Sequence, residues 1–216
     1  MEKLAKQLAH KIALTLQYDA EREAVVAYGL TALLQILATL LLLGVFGGIL
    51  GVWPEALLAC LSGSSLRKYS GGAHASGIGF CTAFSAVYCL SAALLARSFP
   101  MEYYHPVGMG LGLLALYGFA CRMVRRVVPV DSPHKPIRSA EKRARMKKGS
   151  YRVLCVCAAL SLLLYGAGFF RERGRSLLMA LSLGVLWQVV TLTSFGARLV
   201  AAIDHIFCSE KREVKS

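Results

Sequence analysis

The residues that decide the fold are AVVAYGLTALLQILATLLLLGVFGGILGVWP, positions 24–54, which carry no charged side chain. The hydrocarbon core of a bilayer is about 30 Å thick, and an α-helix crosses it with about 20 predominantly apolar residues. The stretch is long enough for one crossing and for the glycine-rich turn near its end. Trp53 then suits the membrane interface, where tryptophan is enriched. The sequence therefore predicts a transmembrane helix over about 25–46.

Four further stretches carry no charge, at 69–96, 103–121, 153–170 and 176–197. The 216 residues are 56% hydrophobic and 17% charged, whereas soluble domains average about 45–50% and about 25%. This composition excludes a disordered chain, a collagen-like chain and a disulfide-rich secreted module. We expect an all-α, polytopic membrane protein with about six transmembrane helices and an N-terminal amphipathic helix.

The spans are predicted from the positions of these apolar runs. They cover about 25–46, 56–66, 74–96, 106–121, 153–170 and 176–200. The second of them is short and ends in a serine-rich sequence. Ahead of the first span, residues 3–17 place leucine, alanine and isoleucine on one helical face and lysine, glutamine and histidine on the other. Such a helix either lies in the headgroup layer or packs against the bundle.

The basic residues predict the orientation of the chain. With six spans and the N-terminus inside, the cytoplasmic side receives every lysine and arginine except Arg97, Arg171, Arg173 and Arg175. This asymmetry would be lost if the second segment did not cross, so we predict that it does. The predicted location is the cell membrane, multi-pass, with both termini cytoplasmic. Because the basic residues lie between apolar runs, we expect no nucleic-acid partner.

We expect one integral membrane domain over residues 1–216. Its parts are an amphipathic N-terminal helix (1–22), spans one to four (24–121), a basic cytosolic loop (122–152), spans five and six (153–200) and a polar tail (201–216). We expect no cleavable signal peptide, because the first residues mix lysine and glutamate and lack the apolar segment that such a peptide has.

The densest polar cluster beside an apolar run is RKYSGGAH, residues 67–74, and Cys81 follows seven residues later. A cysteine becomes an effective nucleophile where a base or cation favours the thiolate, and histidine is the usual base. On a straight helix, His74 and Cys81 would lie about 10 Å apart. A catalytic pair therefore requires a turn, which Gly71 and Gly72 allow. The alternative is a buried thiol beside an interfacial histidine.

The other six cysteines lack the regular spacing of a disulfide framework or a zinc site. Cys155 and Cys157 form a pair, but no second pair accompanies them. Most of these cysteines are expected to act as small apolar residues. We predict neither a metal site nor a cofactor.

A proline-rich stretch, VPVDSPHKPI at 128–137, precedes a basic run over 138–152. Closely spaced prolines cannot continue a helix, so this stretch is predicted to be a rigid, extended loop. The basic run either serves topology alone or has a second task at the cytosolic face.

These motifs together resemble the accessory gene regulator B (AgrB) family. The resemblance rests on the glycine-histidine-cysteine motif and the proline-rich stretch, and it covers essentially the whole chain. It extends to Tyr28-Gly29 and to Leu186-Trp187-Gln188, followed by Thr191 and Thr193. It implies a membrane cysteine endopeptidase that processes an AgrD-like quorum-sensing propeptide, with the bilayer and a second copy of the chain as further partners.

The resemblance also implies roles for individual residues. Cys81 is the implied nucleophile, His74 its base, and Arg67 and Gly72 supporting positions. Cleavage would leave a thioester on the enzyme, from which the propeptide closes a thiolactone or lactone ring. We expect backbone N–H groups around Gly71 and Gly72 to hold the oxyanion, with help from Arg67.

The surplus of positive charge near the predicted site suits the acidic tail that family propeptides carry. We predict that Lys147, Lys148 and Asp131 contribute to substrate binding. Two other functions stay open, a non-enzymatic peptide exporter or transporter and a membrane scaffold. A transporter predicts ionisable residues within the spans, but Glu55, Arg198 and Asp204 all lie near span ends.

Overall fold

The computed structural model describes residues 2–72, 78–99, 105–130 and 139–208. Over these ranges the chain forms eight α-helices and no strand. The helices are α1 (Glu2–Leu16), α2 (Ala20–Ile49), α3 (Trp53–Ser70), α4 (Ile78–Ser98), α5 (Pro106–Val127), α6 (Ala140–Gly168), α7 (Glu172–Thr191) and α8 (Ser194–Cys208). The predicted all-α class is confirmed.

Five of the helices, α2, α4, α5, α6 and α7, are long and apolar enough to cross a membrane. They expose large apolar side chains, such as Leu41 (68% exposed), Leu114 (73%) and Leu163 (72%). Apolar surface on this scale faces lipid rather than water, and helices satisfy their own backbone hydrogen bonds there. The chain is a multi-pass membrane protein.

The second predicted segment forms α3, which is longer than the expected 56–66 and more polar than the five spans. Its Ser62 Oγ donates to the Leu181 carbonyl at 3.2 Å. One end of α3 also contacts α7 through Glu55, and the other end through Ser70. These contacts make α3 parallel to α7 along its length, so both helices traverse the same depth of the bundle. The hydroxyl groups of α3 are tolerated there because they bond to α7.

Small residues let α3 and α7 approach closely. A Cβ atom added to Gly63 would lie 3.1 Å from the Gly184 carbonyl oxygen, and one added to Gly184 would collide with Ser62 and Ala59. Around this contact, apolar side chains of α3, α5, α6 and α7 form the largest buried core, which includes Leu66, Val124, Leu154, Val185 and Val189.

The N-terminal helix α1 forms a hairpin with α2. Its buried residues are Ala5, Ala9 and Ala13, and His10 Nδ1 lies 3.1 Å from Glu23 Oε1 on α2. The Asp19 side chain caps α2 by accepting a hydrogen bond from the Arg22 N–H at 2.8 Å. The predicted amphipathic helix is therefore present and packs through its alanines against α2. Its leucines lie on the exposed surface: Leu4, Leu8, Leu14 and Leu16.

Two predicted boundaries are wrong. Residues 140–152 are not a loop but the first half of α6, which begins after Ser139. Alanine, glutamate, lysine and arginine fill this half, and all are strong helix formers. The predicted span over 176–200 is divided, because α7 ends at Thr191 and α8 starts at Ser194. The Gly196 N–H donates to Thr193 Oγ1 at 3.0 Å, which starts the new helix.

Basic side chains gather at one end of the bundle, which we call the basic end. At this end α3 and α5 finish and α4 and α6 begin. The Lys147 ammonium on α6 donates to the Arg125 carbonyl near the end of α5 at 2.7 Å. Other basic residues here are Arg67, Lys68, Arg122, Arg126, Lys148 and Arg152. The polar half of α6 is thus tied to the apolar bundle.

Candidate active site at the basic end

A glycine turn ends α3 at the basic end. Gly71 has φ +72° and Gly72 has φ +133°, conformations that side-chain-bearing residues rarely adopt. The Gly71 N–H donates to the Arg67 carbonyl at 3.0 Å and closes the last turn of α3. The helix of α3 therefore stops before Gly71, as the glycine pair predicts, and the chain turns toward α4.

A buried glutamine on α7 holds this turn in place. Gln188 is 1% exposed, and its Nε2 donates to Ser70 Oγ at 3.0 Å and to the Gly71 carbonyl at 2.7 Å. A Cβ on Gly72 would lie 3.1 Å from Thr191 Oγ1 and 3.3 Å from Gln188 Nε2. The turn thus lies directly against α7, and only glycine fits there.

The start of the proline-rich stretch holds the turn from the other side. The Val130 N–H donates to the Ser70 carbonyl at 3.0 Å. A Cβ on Gly71 would approach the Val130 carbonyl oxygen to 2.6 Å, which is closer than real Cβ contacts allow. The glycine turn is therefore enclosed between Val130 and α7.

Cys81 lies in the first turn of α4 and is half-buried. The antiparallel register of α4 and α7 is fixed by the Tyr88 hydroxyl, which donates to the Leu183 carbonyl at 2.8 Å. The Phe84 ring lies 5.7 Å from the ring of Trp187. This register places Cys81, one turn closer to the basic end, at the level of Val190. Cys81 is thus at the depth of the glycine turn.

On α3, the cation closest in depth to Cys81 is Arg67. It lies in the last turn of α3, half-buried, and within electrostatic range of the Cys81 sulfur. The consecutive helices α3 and α4 therefore bring a cation and a thiol into one neighbourhood.

Four of the residues that the sequence singles out, Arg67, Gly71, Gly72 and Cys81, lie at a similar depth near the basic end, and their roles stay predictions. His74 and Asp131 lie outside the described residues. Lys147 is engaged with the Arg125 carbonyl, whereas Lys148 is exposed on α6. Among the residues that the structure describes, no group of three or more His, Cys, Asp or Glu side chains could hold a metal ion.

The sequence assigned no role to Gln188, Ser70, Thr191 or Val130, which position the turn. One signal pointed to Gln188. An amide within the charge-free stretch 176–197 is costly in a membrane unless it has hydrogen-bond partners. The identity of those partners, however, depends on the parallel packing of α3 against α7.

A second polar cluster lies at the opposite end of the bundle. Glu55 is fully buried, and its Oε1 accepts from Ser176 Oγ at 2.9 Å and faces Arg97 Nη1 at 3.4 Å. These three residues lie on α3, α7 and α4. The cluster therefore joins the same three helices that carry the site, at the end farthest from Cys81.

Comparisons with known proteins agree on one family. The family model described as Accessory gene regulator B matches residues 2–192. An AgrB-like protein of Clostridium perfringens strain SM101 is 33% identical over 209 residues, which cover 94% of this chain and 96% of that protein. An AgrB-like protein of Halalkalibacterium halodurans is 27% identical over 95% of this chain and 93% of its own length. No solved structure shows a significant match.

The family match spans every helix that builds the site, from α1 to the end of α7. The second C. perfringens relative, an AgrB-like protein of strain 13, agrees with it at 32% identity over 94% of this chain and 96% of that protein. The glycine turn, Cys81 and the multi-pass helical architecture lie within the matched region. The chain belongs to the accessory gene regulator B family of membrane proteins, which is involved in quorum-sensing peptide processing.

Proposed function

We propose that the protein is a membrane-embedded cysteine endopeptidase that cleaves an AgrD-like quorum-sensing propeptide, with Cys81 as its nucleophile. One observation carries the proposal. Cys81 lies in the first turn of α4, at the depth of the Gly71–Gly72 turn and within electrostatic range of Arg67. Family membership supports the class of substrate.

Two features of its position support Cys81 as the nucleophile. Cys81 is only half-buried, so a substrate can reach its sulfur. The Arg67 guanidinium adds a full positive charge nearby. Because reactive cysteines lie in partly exposed, electropositive surroundings, these two features support Cys81 over the buried cysteines Cys89 and Cys157.

The proposed cleavage follows from a thiolate beside a peptide bond. The Cys81 sulfur forms a bond to the scissile carbonyl carbon, and the carbonyl electrons move to the oxygen. When this intermediate collapses, the C–N bond breaks and the departing amine takes a proton, which we assign to the His74 imidazole. The N-terminal part of the substrate stays on Cys81 as a thioester. The role of His74 rests on the family resemblance.

The thioester can then be resolved within the substrate. A thiol of the bound segment attacks the thioester carbonyl, releases Cys81 and closes a thiolactone; a hydroxyl would close a lactone. Exchange of one thioester for another is nearly isoenergetic, so ring closure needs no ATP if water is excluded. A site among membrane-spanning helices favours that exclusion.

The two glycines contribute differently to oxyanion binding in this proposal. The Gly71 N–H is already donated to the Arg67 carbonyl, so Gly71 serves to position the turn. We therefore assign oxyanion binding to the Gly72 N–H and the Arg67 guanidinium. Preorganised donors of this kind stabilise the charge that develops on the carbonyl oxygen.

We propose that the basic end faces the cytoplasm. Basic residues near span ends favour the cytoplasmic side, and this end carries Arg67, Arg126 and Lys148, among others. This orientation presents Cys81 to a newly made propeptide. Both chain termini would be cytoplasmic, since α1 and α8 join this end.

A peptide exporter is the alternative, and it would require a binding group along the spans. Glu55 is buried, but its Oε1 is engaged by Ser176 and faces Arg97 at the end away from Cys81. This arrangement supports a structural role for Glu55 and therefore favours the peptidase.

Co-expression with the propeptide encoded beside this gene tests the proposal. We expect mass spectrometry of the products to show a released C-terminal fragment and an N-terminal part that is cyclic, smaller by one water than the linear acid. After rapid quenching in acid, where thioesters are stable, intact mass spectrometry should show the acyl-enzyme as the mass of the N-terminal part added to the protein, and this adduct should be absent in Cys81→Ala. Export of intact propeptide without cleavage would overturn the proposal and support the exporter.

A further inference from the structure

An apolar groove of about 370 Å³ runs between α3 and α6. Its walls include Leu58 and Leu61 of α3 and Val156 and Leu160 of α6. Leu61 is 48% exposed and Val156 66% exposed, so the groove opens sideways from the bundle. The helices are antiparallel here, and the lined part of α6 from Arg152 to Leu160 is about 12 Å long. The groove therefore has the size and lining of a ligand site rather than of a packing defect.

One end of the groove is polar and positively charged. Ser65, Tyr69 and Arg152 line it there, and Lys68 Nζ lies 5.7 Å from the centre of the Tyr69 ring. The Tyr69 ring packs directly on Gly149 of α6, where a Cβ would collide with the ring. This contact fixes the tyrosine at the mouth of the groove, between the two cationic side chains.

The polar end lies at the boundary of the hydrocarbon layer. Arg152 is the last charged residue before the charge-free stretch 153–170, and on α3 the charge-free residues 56–66 end just before Arg67 and Lys68. From this boundary the groove extends along charge-free sequence on both helices. Its charges are thus at the depth of lipid headgroups, while its walls are at the depth of acyl chains.

We propose that this groove binds one anionic phospholipid from the leaflet at the basic end. An acyl chain lies along Leu58, Leu61 and Val156, and the phosphate contacts Arg152 and Lys68. Basic pockets between membrane helices bind acidic lipid headgroups, and each nearby cation strengthens the interaction. The match of charge to headgroup depth and of apolar walls to chain depth selects a phospholipid over a soluble anion.

The site is separate from Cys81 and does not depend on the peptidase activity. Native mass spectrometry of the full-length protein tests it, with phosphatidylglycerol and phosphatidylcholine of the same acyl chains as probes. We expect one tightly bound phosphatidylglycerol and at least about fivefold weaker binding of phosphatidylcholine.

Two groove variants and one control make the test specific. Arg152→Gln should weaken phosphatidylglycerol binding about fivefold and reduce the preference for the anionic lipid, because Lys68 remains. Val156→Trp, a bulkier side chain at an exposed position, should block the groove for both lipids. Arg145→Gln removes one exposed charge from the same helix outside the groove and should bind as the parent protein does.

Three outcomes would overturn the proposal. They are equal binding of the two lipids by the parent protein, an unchanged preference in Arg152→Gln, and unchanged lipid binding in Val156→Trp. If Val156→Trp converts a dimer to monomers while lipid binding is unchanged, the groove is an interface for a second copy of the chain instead.

Discussion

The side-chain amide of Gln188 lies 2.7 Å from the carbonyl oxygen of Gly71, to which it donates a hydrogen bond. A second bond from the same nitrogen reaches the buried Ser70 hydroxyl. One α7 side chain thus fixes the turn that follows α3, at the depth of Cys81. We infer that Gln188 positions the turn for the proposed reaction without touching the reacting atoms.

Gln188→Ala should slow cleavage more than its loss of stability explains. Leaving buried hydrogen-bonding groups unpaired costs about 1–3 kcal/mol of unfolding free energy. In addition, the turn would lose its tie to α7, so we expect kcat to fall at least about tenfold with little change in KM. Steady-state kinetics in detergent or proteoliposomes, beside thermal unfolding, would measure both effects.

Ser161→Ala is the matched control for this variant. It removes a buried hydrogen bond between Ser161 and the Tyr117 hydroxyl, 2.8 Å long, away from the turn. A comparable loss of stability with normal kcat is expected. If Gln188→Ala and Ser161→Ala show the same kcat, the positioning role of Gln188 is wrong.

Cys81→Ala and Cys81→Ser should abolish cleavage while membrane insertion stays intact. The serine hydroxyl is a much weaker nucleophile than a thiolate, so the conservative change does not rescue activity. Cys89→Ala, Cys121→Ala and Cys157→Ala should still process the propeptide. Mass spectrometry of the co-expressed propeptide distinguishes the two groups. Full processing by Cys81→Ala would contradict the peptidase proposal.

Gly71→Ala should destabilise the protein and impair processing. Its backbone, with φ +72° and ψ −150°, is in a region that essentially only glycine adopts, and a side-chain-bearing residue there costs about 1–3 kcal/mol. The added Cβ would also press on the Val130 carbonyl oxygen. Gly29→Ala is the control, because a Cβ there meets no atom within 4 Å and the residue lies within α2. Thermal unfolding in one detergent should rank Gly71→Ala below the parent and Gly29→Ala at or above it.

Lys148→Gln should raise the apparent KM about two- to fivefold at low salt, with kcat and stability unchanged. The exposed ammonium attracts an acidic substrate segment, and such attraction weakens as salt rises. Lys147→Gln should also lower stability, because its ammonium bonds to the Arg125 carbonyl. KM measured at two salt concentrations, with Lys11→Gln on α1 as a charge-matched control, tests this. Identical KM values for Lys148→Gln and the parent at low salt would assign the basic run to topology alone.

Sequence patterns predict the apolar spans of this chain well, because five helices need only a charge-free run of sufficient length. They predict α3 less well, because its serines and glycines are favourable in a membrane helix only where they bond to or pack against α7. The start of α6 was missed for a related reason. A basic, helix-forming segment without an apolar face is predicted to be a loop, because its sequence does not reveal the hydrogen bond from Lys147 to the Arg125 carbonyl on α5.

The residues of the candidate site also fall into those that the sequence predicts and those that it does not. Residue type and spacing single out Cys81, His74 and the glycine pair, and the family resemblance adds the supporting role of Arg67; these roles stay predictions. Gln188, Ser70 and Val130 could not be assigned from spacing. Their partners lie 58 or more residues away, and only the packing of α3 against α7 and the proline-rich stretch brings them together.

With the Glu55 cluster, the hydrogen bonds among α3, α4 and α7 form a frame that holds the three helices together. Side-chain hydrogen bonds fasten α3 to α7 at one end through Glu55 and Ser176 and at the other through Ser70 and Gln188. Arg97 and Tyr88 join α4 to the same pair. The helices α3 and α7, bonded at both ends, and α4, bonded at one end and near its middle, cannot slide past one another without breaking these bonds. In the proposed reaction the geometry around Cys81 is therefore set before the peptide arrives, and the peptide must conform to the frame rather than reshape it.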